Sequence, residues 1–236
     1  MSSSRRILAI ESSGQACSAA LGDGASVLRK ASLPGALQHA AGLIPLIDQL
    51  CKAQHWLAES LDEVYVSIGP GSFTGLRIGV SVARTLAWST GAKVVAVPTM
   101  QVLAQNALDC PAPPTSLAVL LDAKRGQVYA AAFELSAGAY RPVAEAQLTD
   151  PAAFLKRCSA PVAVLGEGVA HHTTAIEAAG ATTLDKALWS GQAEAVLSLG
   201  CTLAGQGADT QPGDLLPCYI RKPEAEEKWE QRHLRT

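Results

Sequence analysis

Charge is scarce in this chain. Only 17% of its 236 residues are Asp, Glu, Lys or Arg, against about 25% in an ordinary soluble domain, so part of the surface is expected to be covered by another molecule. There is no basic excess either: 19 Lys and Arg against 21 Asp and Glu leave a net charge of −2. Direct nucleic-acid binding normally shows as a strong positive imbalance, so any contact with tRNA or DNA is expected to be shared with a partner. No two of the six cysteines (17, 51, 110, 158, 201 and 218) form a C-x-x-C pair; they read as small buried hydrophobes in a reducing compartment. Met1 to Arg6 is polar and leads into only four apolar residues, which argues against a signal-peptide core. No apolar run approaches about 18 residues, so no membrane span is expected and the expected location is the cytoplasm. Two chemistries are missing as well. A helical zinc pair needs histidines at i and i+4, but His39 is followed by Leu43, and His171 and His172 are adjacent. No H-E-x-x-H or G-x-S-x-G occurs, so neither a metal site nor a peptidase is expected.

What is present points two ways. Residues 69–79, GPGSFTGLRIG, follow an apolar stretch ending at Ile68 and open a helix. A strand, a glycine-rich turn and a helix N-terminus together can hold a phosphate on backbone N–H groups. The helix is apolar on nearly every side, so it must bury itself in its own domain or against another protein. A nucleotide enzyme and an interaction subunit are both open at this point.

Residues 7–10 predict a buried strand, Glu11-Ser12-Ser13-Gly14 a turn, and Cys17 to Leu21 a second strand, with Gly22-Asp23-Gly24 a hairpin into a third near Val27 to Ala31. A helix over about 37–53, a strand at Val64 to Ile68, a helix over 73–90, a strand at Val94 to Val97 and a helix from about Thr99 to Leu108 complete a β-β-β-α-β-α-β-α unit. Cys110-Pro111-Ala112-Pro113-Pro114 is a stiff linker. Beyond it Leu117 to Leu121 is again a strand that ends in an acid and a turn, Val128 to Phe133 follows, and Val162 to Leu165 runs into Gly166-Glu167-Gly168 and a helix. The second half echoes the first. We expect an α/β fold of the duplicated actin-like ATPase and sugar kinase type (ribonuclease H-like). Its N-terminal lobe would span 1–109, a degenerate C-terminal lobe 115–220, and a charged tail 221–236 would be solvated or ordered by a partner.

In that layout two turns grip phosphates between the lobes, each an acid followed by small residues that let an anion approach while the carboxylate holds a hydrated metal. Glu11, Ser12 and Ser13 suit the role, with Gly69, Gly71 and Ser72 as further anion contacts; a plain strand-end turn is the other reading of Glu11. Asp122-Ala123-Lys124-Arg125 suits it poorly, because bulky residues stand where small ones are wanted. Little chain is left to build a substrate site or a catalytic base. The expectation is a scaffold with a worn nucleotide cleft: no catalytic residue, no required cofactor, ATP or ADP binding still open.

The two N-terminal helices carry more apolar surface than one sheet needs. In the first, Leu43, Leu46 and Leu50 stand beside Ile44, Ile47 and Cys51; in the second, Leu76, Val80, Ala83 and Ala87 form one stripe and Ile78, Val82 and Leu86 another. Gly75, Gly79 and Ala83 make a small-residue row that admits another helix closely. Arg77 opposes the helix dipole in the first turn, which a carboxylate or phosphate partner would explain. Docking on a similar helix pair as a four-helix bundle is expected, through Leu43, Leu46, Ile47, Leu50, Gly75, Leu76, Arg77, Gly79, Val80 and Ala83. The alternative cover is the fold's own second layer.

ILAIESS at 7–13, GPGSFTGLRIG at 69–79 and VAVPTMQVLA at 95–104 closely resemble the TsaB family, also called YeaZ; LLDAKRGQVYAAAF at 120–133 and PCYIR at 217–221 are similar to it as well. The resemblance implies the duplicated actin-like fold and a non-catalytic paralogue of TsaD, the subunit that transfers threonylcarbamoyl to the adenosine beside the tRNA anticodon. It implies pairing with a TsaD-like subunit through the helices at about 37–53 and 73–90, a TsaE-like ATPase joining the pair, and tRNA contact only through the complex. It further implies a homodimer when TsaD is absent, and any ATP or ADP lying at the partner interface. TsaD carries a metal-binding histidine pair on its first helix; here His39 stands without a second. Ala40 and Ala41 replace the serine and charged residue that often follow that histidine in the family. An autonomous ATP-dependent kinase or ATPase is the competing expectation.

Overall fold

In a computed structural model of the chain, which describes residues 5–33 and 39–221 but not the side chains of residues 39 and 40, the apolar run at 7–10 is buried on both of its faces. It forms β1 (Arg6–Glu11), whose Leu8 and Ile10 face one layer while Ile7 and Ala9 face another. Side chains alternate along a strand, so a strand buried on both sides reads as an unbroken apolar run. β1 pairs antiparallel with β2 (Cys17–Asp23), which pairs with β3 (Ser26–Leu33), and parallel with β4 (Glu63–Ser67), which pairs with β5 (Lys93–Val97). The order is β3-β2-β1-β4-β5.

The second half repeats it. β6 (Ser116–Asp122), β7 (Val128–Ser136) and β8 (Ala139–Thr149) form an antiparallel meander, and β9 (Val162–Leu165) and β10 (Thr182–Thr183) add parallel strands on the other side of β6. The order β8-β7-β6-β9-β10 is that of the first sheet. β8 has no counterpart among the sequence expectations, for Pro142 interrupts its pattern. Proline is tolerated there because β8 pairs with β7 alone, and the register shifts between Ala132 and Phe133, opposite Ala144 and Pro142.

Helices fill three layers. α1 (His39–Ala53) and α2 (Phe73–Thr90) cover one face of the first sheet. α3 (Thr99–Gln105) lies between the sheets, with Val102 against the first and Met100 and Leu103 against the second. The helix expected over 99–108 tightens to a 3-10 turn at Asn106–Asp109. α4 (Pro151–Leu155) and α5 (Thr173–Ala178) cover the far face of the second sheet.

α6 (Ala193–Gly205) corrects the expected lobe division at 115–220. Val196 and Leu197 pack on Ile7, Ala9 and Tyr65, so a helix late in the chain forms the back of the first sheet. Gly200 is what lets it lie so close: a Cβ there would fall 2.2 Å from the Tyr65 ring. The α6 N-terminus is pinned by Ala193 N–H donating to Ser18 Oγ (3.0 Å) and by the Lys30–Glu194 ion pair (2.5 Å). The segment after it binds both lobes. Cys218 N–H donates to Ile68 O (2.7 Å), and the Arg221 guanidinium donates to Ala123 O and Gln127 Oε1. Of the six cysteines only Cys17 and Cys51 are buried, and Cys218 is exposed, so the reading of all six as core residues is corrected. No helix among the described residues is long and apolar enough to cross a membrane. The expected helix start at residue 37, the His39 side chain and the tail beyond residue 221 lie outside the described residues.

Candidate functional site

Two places combine shape with unusual side chains: the cleft between the lobes and the outer face of α1 and α2. At the end of β1, Ser13 N–H and Oγ–H both donate to Glu11 Oε1 (2.6 and 2.5 Å). Ser12 Oγ–H donates to Gly75 O (2.9 Å) and the Ser72 N–H to Ser13 O (2.7 Å). Ser72 caps α2 by accepting from Gly75 N–H (3.2 Å), and Gly69 N–H donates to Thr99 Oγ1 (2.9 Å). The amides of Gly69 and Ser72, expected to contact an anion, are thus engaged within the chain, as is the amide of Gly75. Gly69, at φ 115°, and Gly71 serve close packing: a Cβ on them would meet Cys218 O at 2.7 Å and Ser13 O at 2.4 Å.

The cleft itself measures about 570 Å³. Of the expected anion contacts, Ser13, Gly71 and Ser72 line it, whereas Glu11, Ser12 and Gly69 do not. Its opposite wall carries Asp122, Lys124, Arg125, Glu167, His171 and Arg221. Lys124 and Arg125 sit at φ 61° and 55°, a left-handed turn of bulky residues, and Lys124 pairs with Asp122 at 2.8 Å. Among the described residues no group of three or more His, Cys, Asp or Glu side chains is arranged to hold a metal.

Glu11 is enclosed rather than presented. Its exposure is 1%, Oε2 has no hydrogen-bond partner, and Gly191 presses on the carboxyl so closely that a Cβ there would stand 2.8 Å from Cδ. Burial raises its pKa above the ordinary 4.5, and the Glu167 charge adds to the rise, against lowering by the Ser13 bonds and by Ser67. The same burial, with the Glu11 charge, pushes the Cys17 thiol up to about 12. A carboxyl raised in the folded state contributes stability that is complete below its unfolded pKa and is lost as pH rises through the folded value. The raised pKa therefore leaves the fold less stable at pH 7 than at pH 4.5 and below. Glu11→Gln should melt at a higher temperature than the parent at pH 7, with the gap closing as pH falls toward 4.5; melts across that range check it.

On the other side of the first sheet, the expected docking residues turn inward. Leu43, Leu46, Leu50, Leu76, Val80 and Ala83 are all 7% exposed or less and pack within this chain. The Gly75–Gly79–Ala83 row is corrected too. A Cβ on Gly75 would lie 2.0 Å from Ser12 O and one on Gly79 2.2 Å from Ser12 Oγ, so the glycines seat α2 on the end of β1 and not on another helix. Arg77 does face outward, yet its partner is aromatic: Nε–H donates to Tyr219 Oη (3.0 Å) and the guanidinium stands 3.9 Å above Phe73.

The other stripe is only partly covered by the described residues. Ile44, Ile47, Ser81, Val82, Thr85 and Leu86 line an apolar groove of about 300 Å³ between α1 and α2. Ile44 and Trp88 are each 63% exposed beside it. Only Ile47 of the expected apolar docking residues reaches it. The Gly75–Gly79 row marks a face of close approach, but in the sequence a strand end and another helix are equally admissible neighbours.

Comparison with known proteins sorts these features. The family profile described as TsaD, tRNA N6-adenosine threonylcarbamoyltransferase, matches residues 35–229. The protein from Bacillus subtilis named tRNA threonylcarbamoyladenosine biosynthesis protein TsaB is 32% identical over 197 residues, 81% of this chain and 83% of that one. This chain belongs to the TsaB family. The Escherichia coli TsaB is 31% identical over 55% of each chain. YeaZ from Pseudomonas aeruginosa superposes with a TM-score of 0.78 at 25% identity, over 91% of this chain and 99% of that one. Another solved structure from that organism, described as an uncharacterized protein with similarity to peptidase YeaZ, has the same TM-score at 26% identity, over 92% and 100%. The two sheets of like strand order make a duplicated α/β fold, which this chain shares with the solved YeaZ structures.

Proposed function

We propose that this chain is a non-catalytic subunit of the machinery that makes threonylcarbamoyladenosine in bacterial tRNA, and that it works by holding a TsaD-like transferase. The observation that carries the reading is the apolar groove of Ile44, Ile47, Val82 and Leu86, left open on two helices whose inner stripes are already satisfied. The names of the relatives supply the pathway. In this reading a TsaE-like ATPase joins the pair in the cytoplasm, tRNA is met only through the complex, and two copies pair when the transferase is absent. ATP or ADP, if bound, lies at the partner interface. Peptidase chemistry forms no part of the proposal, since the chain has neither H-E-x-x-H nor G-x-S-x-G.

The competing reading, an autonomous ATP-dependent kinase or ATPase, draws support from the size of the interlobe cleft. It is the weaker one because the Gly69 and Ser72 amides already bond within the chain. Turnover of magnesium-ATP by the purified chain alone would favour it.

The test of the main reading is Ile44→Glu. At 63% exposure the side chain contributes little to the fold, so the melting temperature should stay within a few degrees of the parent. A carboxylate placed in an apolar contact costs about 2 kcal/mol or more. The complex with the transferase, followed by light scattering, should weaken at least about thirtyfold. Unchanged pairing would remove the groove from the interface.

A further inference from the structure

The outer face of α2 carries two arginines and no acid. The helix has no Asp or Glu at all, and the one carboxylate of α1, Asp48, is paired with Lys52 at 2.7 Å. Successive helical positions turn about 100°, which brings Arg77, Ser81, Arg84 and Trp88 onto one outward stripe beside the groove. Among the described residues neither arginine forms an ion pair. Arg77 is held by Tyr219 and Phe73, and the Arg84 guanidinium lies over Trp88 at 4.9 Å from its centroid.

Arg84 is the more telling of the two. Its Nε is buried and, among the described residues, has no hydrogen-bond partner, while the side chain as a whole is only half-buried. A guanidinium already partly stripped of water and fixed on an indole ring presents a preset fork, the geometry that a carboxylate meets with two parallel hydrogen bonds. Ring stacking lowers the entropy lost when such a bond forms.

We infer that Arg77 and Arg84 recognise carboxylates that flank an apolar ridge on the partner, so that this face prefers an acidic helix surface to a second copy of this chain. The inference rests on the docking reading above and adds the partner's chemistry to it. A second copy would bring the same stripe against itself, arginine toward arginine with no acid on α2 to answer it, and like charges in a closing interface oppose binding. An acidic partner neutralises both cations. It also relieves the unfavourable position of Arg77 at the positive end of the helix dipole.

The experiment measures binding of the full chain to the TsaD-like transferase of the same organism, by calorimetry, across about 0.05 to 0.5 M salt. Arg84→Glu and Arg77→Glu should each weaken the pair at least about tenfold at low salt, with the loss shrinking as salt rises. Arg84→Lys should fall between parent and reversal, because a lysine keeps the charge without the fork. Ile44→Glu serves as the reference and should weaken the pair at every salt concentration. If both arginine reversals bind like the parent, with the same salt dependence, the inference is overturned while the groove reading survives through Ile44→Glu. If Ile44→Glu also binds like the parent, the docking reading fails first. Self-association of the same variants separates the occupants. Reversal should leave the homodimer as tight or tighter while loosening the mixed pair, and equal loss of both would count against an acidic partner.

Discussion

Gly75→Ala should unfold this protein at temperatures where the parent is intact. The methyl group would arrive 2.0 Å from Ser12 O, which is backbone and cannot rotate away. To admit it, the first turn of α2 has to lift from the end of β1. That breaks the buried bond from Ser12 Oγ–H to Gly75 O and disturbs the Ser72 cap on Gly75 N–H. Alanine is the better helix former by about 1 kcal/mol, so propensity alone predicts the opposite sign. Overpacking costs about 1–3 kcal/mol and a lost buried hydrogen bond about 1 kcal/mol more; together they prevail. Gly205→Ala, at the last position of α6 with nothing within 4 Å of the added atom, is the control that should stabilise slightly. Urea titrations of the two variants read both signs. A Gly75→Ala protein as stable as the parent would mean that α2 does not rest on Ser12.

The second large effect is Val80→Glu. Val80 is 2% exposed and belongs to the core cluster with Leu8, Ile10 and Val66. A glutamate there either ionises in a region without partners or stays protonated with its oxygens unmatched, and either costs several kcal/mol. Leu46→Glu, at 7% exposure on α1, belongs to the same class. Both should lose the cooperative thermal transition, so their failure to bind a transferase would report the fold and not the interface. Circular dichroism melts decide it: a Val80→Glu chain that melts like the parent would show that the inner stripe is not core. Ile44→Glu, by contrast, reads the interface alone.

These cases show where sequence reasoning reached and where it stopped. β1, the glycine turn and α2 were legible because their apolar periods and turn residues agree, and α2 runs from Phe73 to Thr90 as expected. The duplication was legible because Asp122 and Gly166 punctuate the second half as Glu11 and Gly69 punctuate the first. The two stripes of α1 and α2 were both visible, but hydrophobicity is equal on each and cannot say which one faces inward. Only the three-dimensional meeting of Gly75 and Gly79 with Ser12 decides that. The role of Glu11 was hidden for a related reason: an acid at a strand end reads alike whether it opens into a cleft or is closed over by Gly191, 180 residues later in the chain. α6 escaped assignment to the first sheet because its run of Val196, Leu197 and Leu199 has no period that names its partner.

That late helix bears on how the molecule is made. Ile7, Ala9, Tyr65, Val95 and Val97 have Val102 of α3 beside them early, but the rest of their back cover comes with α6, roughly a hundred residues after β5 has left the ribosome. The amino-terminal half is therefore born with an oily flank partly bare, and through the whole synthesis of the second half that flank is open to chaperones or to aggregation. Such a half is no independent building block, and a nascent chain cut short before residue 193 would leave it permanently unfinished.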